Sequence, residues 1–132
     1  MKIEFKQPIG FLLEVLETDD HIPSMRVNVQ IAVVQFQNTC RYEGNFWIEC
    51  ANWDAFLQSL HAPAKDAASL QDISGCFTLE IRKIDGDLSF AWTFKKVDVG
   101  GGRQIEIAFA SEIDDDVFAK IKNEFLEFPA WW

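Results

Sequence analysis

The chain is poor in cations, in histidine, in paired cysteine and in long apolar runs, and each shortage excludes something. Lys and Arg number 12 against 21 Asp and Glu, giving a formal charge of -9 and a pI near 4.6. Nucleic-acid binding draws most of its affinity from clustered cations that displace counterions from phosphates. This balance argues against nucleic acid, whereas a basic protein would be steered towards the surface. Cys40, Cys50 and Cys76 are odd in number and form no CxxC pair, so neither a zinc site nor a redox motif is expected. They are expected to be reduced and buried. His21 lies beside Asp19 and Asp20, and His61 falls near a helix end. Neither has a nucleophile and an orienting group nearby in sequence, so no triad is expected. No apolar run approaches the roughly 20 residues that cross a bilayer. The start, Lys2-Ile3-Glu4-Phe5-Lys6, alternates like a strand rather than reading as a signal peptide. The expected location is cytoplasmic, away from membranes.

Glycine is sparse too. Gly100-Gly101-Gly102 is the one cluster among 7 glycines. A phosphate cradle needs such glycines to open a helix. Here a strand follows, so a hairpin loop is expected. No cofactor or metal is implied.

What is plentiful is apolar and aromatic surface: 48% hydrophobic residues, with 12 Phe and 5 Trp in 132. That suits one domain, 1–132, able to bury its own core without staples. Period-2 alternation marks strands at Ile3–Phe5, Ile9–Val15, Met25–Val33 and Tyr42–Cys50, with Trp47 on the polar face of the last. At Val33-Val34 the phase changes, leaving Val34 and Phe36 as the apolar set. Such a shift predicts a β-bulge and a long curved strand, with Asn38-Thr39 turning the chain. Trp53, Phe56, Leu57 and Leu60 form a helical stripe, with Asn52 as N-cap and Pro63 ending the helix. Ala64 to Asp72 reads as a loop or a short second helix. Phe77–Ile81, Leu88–Phe94 and Ile105–Phe109 alternate again, with Asp85-Gly86 as a tight turn. Asp114 should cap a last helix buried through Val117, Phe118, Ile121, Phe125 and Phe128. The expected fold is α+β: one curved, mainly antiparallel sheet of about seven strands, ordered four strands, helix, three strands, helix, with both helices packed on it. No internal repeat is evident.

Exposed aromatics beside acids are typical of interface anchors. Trp47, Trp131 and Trp132 are therefore candidate partner-binding residues. So are the acidic positions Asp19, Asp20, Asp114, Asp115 and Asp116, although the last three also suit the positive end of a helix dipole. Three consecutive acids splay apart and make a poor calcium site.

Three stretches carry a family resemblance. The strand Phe46-Trp47-Ile48-Glu49 runs into the helix Trp53-Asp54-Ala55-Phe56-Leu57-Gln58-Ser59-Leu60. A strand–hairpin–strand region spans Phe77 through Phe94. A final strand, Ile105 to Ala110, leads into a helix ending at Phe128-Pro129. In these the chain resembles the WapI-like bacterial immunity proteins, small proteins that neutralise toxin domains. The resemblance implies a non-enzymatic protein that binds a cognate toxin domain stoichiometrically, with a basic nuclease as one kind of target. The residues alone also leave room for a homodimer, for a β-rich binder of small apolar ligands lined by Phe77, Phe90, Trp92, Phe94 and Phe109, and for an enzyme with an unfamiliar site.

Overall fold

A computed structural model of the chain describes residues 1–61 and 67–132. The elements are β1 (Lys2–Phe5), β2 (Gly10–Asp19), β3 (Ser24–Gln35), β4 (Asn38–Glu49), α1 (Cys50–His61), β5 (Ala68–Gln71), β6 (Phe77–Ile84), β7 (Asp87–Val97), β8 (Gln104–Ile113) and α2 (Asp115–Leu126). Short connections between successive strands force antiparallel pairing. Every strand pair obeys this.

The fold is α+β, but its strands form two four-stranded sheets, β1-β2-β3-β4 and β5-β6-β7-β8, rather than one sheet of seven. Alternation identifies the apolar face of each strand, and it is blind to which sheet that face belongs to. The two apolar faces meet each other. Phe5 packs edge-on against Phe90 at 5.9 Å, Phe46 stacks on Phe77 at 4.6 Å, and Tyr42 lies 5.4 Å from Trp92. The helices add to this core: the Trp53 ring lies 5.5 Å from Phe125 and 4.9 Å from Phe128.

Three local expectations are corrected. First, β3 pairs with β4 without interruption from Ser24↔Glu49 to Gln35↔Asn38, and the bulge falls in β2, between Val15 and Glu17. The phase change at Val34 and Phe36 arises because these side chains face solvent, 72% and 91% exposed. The turn is Phe36-Gln37, and Asn38-Thr39 opens the next strand. Second, Ala68–Gln71 is a strand, β5, which brings the number to eight; Pro63 and residues 64–66 lie outside the described residues. Third, α1 starts at Cys50, whose N–H donates to Pro23 O at 2.9 Å. Asn52 therefore caps nothing; its Oδ1 accepts from Gln71 N at 2.9 Å and ties α1 to β5. Asp114, in contrast, does cap α2, accepting from Val117 N at 2.8 Å.

The architecture repeats where the sequence shows no repeat. Four strands and a helix are followed by four strands and a helix. Buried residues recur 65 positions apart: Ile3 and Ala68, Met25 and Phe90, Val27 and Trp92, Ile48 and Ile113, Phe56 and Ile121, Leu60 and Phe125. Each half lends its helix to the other, since α1 packs against β5 and α2 against β1. Among the described residues no helix is long and apolar enough to cross a membrane.

Candidate protein-binding surface

The eight candidate residues fall in four places. Asp19 and Asp20 are exposed at the β2–β3 turn, where Asp19 Oδ1 accepts from His21 N at 2.9 Å. Trp47 is half-buried on the outer face of the first sheet, opposite Arg26. Its carbonyl accepts from Ile73 N at 2.9 Å, and none of the other seven candidates lines the recess beside it. Asp115 and Asp116 are exposed in the first turn of α2, after the capping Asp114. Trp131 and Trp132 are half-buried, in an edge-to-face pair 5.5 Å apart. Trp132 Nε1 donates to the Asp54 carboxylate at 3.0 and 3.1 Å, holding the pair against α1.

Cys50 is buried and Cys76 half-buried, but Cys40 is exposed, contrary to expectation. It sits on the outer part of β4, opposite Val33. His21 and His61 are both exposed.

Sequence reasoning missed the most unusual surface, the projecting end of the β3–β4 hairpin. From Val27 to Cys40 the chain carries no charged residue, in a protein with 33 of them. Val34, Gln35, Phe36, Gln37, Asn38, Thr39 and Cys40 are all exposed. The turn has φ of 52° at Phe36 and 64° at Gln37. Two-residue hairpin turns with positive φ at both positions strongly prefer Asn, Asp or Gly. An L side chain in this region costs roughly 1–2 kcal/mol, and a bulky one has no local hydrogen bond to offset that. The signal was present in the sequence as apolar Val34 and Phe36 standing out of phase with the core face.

A second surface runs along the open side between the sheets, where β4 and β8 are edge strands. A groove of about 390 Å³ lies here, lined by Tyr42, Phe46, Phe94 and Ile107 among others, with Arg41 and Lys96 also on its walls. A second recess, about 420 Å³, is lined by Gly10 and Ala32, and both share Arg41, Tyr42 and Glu43. Burial pushes the Tyr42 phenol up to about 12, aided by the negative charges of Asp72 and Cys76. The phenol is thus a neutral donor at neutral pH. Asp72 is buried and fully engaged: Oδ1 accepts from Phe77 N at 2.8 Å and the other oxygen from the Ser74 hydroxyl. Its task is to hold the 72–77 loop closed. The groove therefore offers apolar contact and hydrogen bonding, with the Glu43 carboxylate also on its wall. Phe77, Phe90 and Trp92 are no more than 1% exposed and fill the core; of the other two rings that could line a ligand pocket, Phe94 lines this groove and half-exposed Phe109 does not.

Among the described residues no group of three or more His, Cys, Asp or Glu is placed to hold a metal ion. No family model, curated protein or solved structure matches this chain.

Proposed function

We propose that this is a non-enzymatic protein-binding domain, acting by stoichiometric cover of a basic protein partner in the manner of the WapI-like immunity proteins it resembles. The observation that carries this reading is Phe36, 91% exposed at the tip of an uncharged hairpin and held at a φ of 52°. Strain of this kind costs stability and persists where the position has another use. A phenylalanine presented on a projecting tip is an anchor for a partner's cleft; burying it contributes roughly 1.5–3 kcal/mol. The -9 charge draws a cationic partner, such as a basic nuclease toxin domain met in the cytoplasm, and the neutral arm docks without carrying charge into the contact.

The test is capture of purified basic toxin domains on the immobilised protein across a salt series. Binding that weakens with salt and is lost in Phe36→Asn supports the proposal. Retention of full affinity by Phe36→Asn, or failure to capture any basic domain at low salt, overturns it.

A further inference from the structure

The two sheets have four edges, and only two are long. β1 and β5 are four residues each, whereas β4 has 12 and β8 has 10. Natural sheets protect long edges with lysine, proline, bulges or very short strands. β8, Gln-Ile-Glu-Ile-Ala-Phe-Ala-Ser-Glu-Ile, has neither lysine nor proline, and its register with β7 is unbroken from Leu88↔Ile113 to Val97↔Gln104. Its apolar row is also unfinished. Ile107 and Phe109 are half-exposed and Ile105 is 51% exposed; of the β7 residues opposite them, Trp92 is buried beside Phe109, Phe94 is half-buried beside Ile107, and Lys96 beside Ile105 is exposed. Ile105 and Ile107 line the groove that the facing edge strand β4 borders with Tyr42 and Phe46.

We propose that the free edge of β8 accepts an extended segment of a partner protein, which adds a fifth strand to the second sheet. Backbone groups of the incoming strand pair with β8, and its alternate side chains enter the groove against Ile107, Phe46 and Phe94. The solvent-facing residues of that strand meet Glu106 and Glu112. Glu106 already has Lys95 opposite it on β7, but Glu112 faces only Ser89, so the stronger attraction for a cation lies at Glu112. The segment is therefore amphipathic, alternating apolar and basic residues. A second copy of this chain fits less well, because it brings another charge of -9 and its own Glu106 and Glu112 to the same edge. This site is built on the β8 edge and the groove beside it and does not need the hairpin tip.

The probe is a short synthetic peptide alternating lysine and valine, with a glutamate–valine peptide as control and amide hydrogen exchange as the readout. The lysine peptide is expected to slow exchange along Gln104–Ile113, and the glutamate peptide to leave it unchanged. Glu112→Lys is expected to weaken binding roughly fivefold to tenfold, and Ile107→Ser roughly tenfold. Phe36→Asn should bind the peptide like the parent, which separates this site from the hairpin anchor. The proposal is overturned if the lysine peptide protects other strands and not β8, if both peptides bind equally, or if β8 becomes protected with rising protein concentration and no peptide.

Discussion

The ring of Tyr42 lies over Gly44, two residues along the same strand. A Cβ at Gly44 would fall 2.9 Å from the Tyr42 Cζ, and its hydroxyl is closer still. Glycine is needed here for room rather than for backbone freedom. Gly44→Ala must displace the ring from its place between Phe77, Trp92 and Phe94, at a cost of roughly 1–3 kcal/mol. Tyr42 is the only tyrosine, so its tyrosinate absorbance reports on this site alone. In Gly44→Ala the phenol is expected to titrate at lower pH than the parent, because the displaced ring meets water. Chemical denaturation and a spectroscopic pH titration check the two halves of this prediction.

Alkaline pH should destabilise the fold through two identified groups. Burial lifts the Cys50 thiol from 9.0 to about 11, with a smaller contribution from Asp54, and lifts Tyr42 from 10.0 to about 12. In each case the folded state holds its proton more tightly than the unfolded chain. The stabilisation is complete below the unfolded value and is lost as pH rises through the folded one. Denaturation midpoints are expected to be unaffected by either group up to about pH 9 and to fall progressively towards 12. Cys50→Ala should flatten the earlier part of that fall and Tyr42→Phe the later part. A midpoint constant to pH 12 would show that neither group is shifted.

Much of the fold was legible in the residues, and the failures have physical causes. Asp85-Gly86 forms the expected two-residue turn, with positive φ at both positions, because its residue types match that geometry. Asp114 caps α2 for the same local reason. Phe36-Gln37 adopts a comparable turn with residues that disfavour it, so propensity pointed to Asn38-Thr39 instead. β5 was missed because Ala68–Gln71 offers only two alternations next to an alanine-rich stretch. The paired architecture was hidden because the recurring positions share burial rather than identity: Met25 answers Phe90, and Val27 answers Trp92. For the site, period-2 reading assumes that every apolar residue seeks the core. Val34 and Phe36 break that assumption, and the departure itself was the pointer to the exposed arm.

The hairpin tip gives a test in which stability and binding move in opposite directions. Asn enters the left-handed region far more readily than Phe. Phe36→Asn is therefore expected to stabilise the isolated protein by roughly 0.5–1 kcal/mol while removing the proposed anchor. A higher thermal midpoint, with unchanged hydrogen exchange in the core strands, is the expected result. A lower midpoint would mean that Phe36 supports the fold.

The three thiols should react in a fixed order. Cys40 is exposed, Cys76 half-buried and Cys50 buried with a raised pKa. Since the thiolate is the reacting species, timed alkylation followed by peptide mass mapping should label Cys40 first and Cys50 last. Cys40→Ser should remove the fast phase without changing the denaturation midpoint, because this side chain contributes little to the core.

The exchange of helices between the two halves fixes how the molecule comes apart. With α1 seated on β5 and α2 on β1, each half's lid is anchored in its neighbour, and Trp53, Phe56 and Phe125 clasp the two lids together. Neither half keeps a closed interior once the other has melted, so the two should fail together in one cooperative transition, as interlocked fingers release only when both hands open.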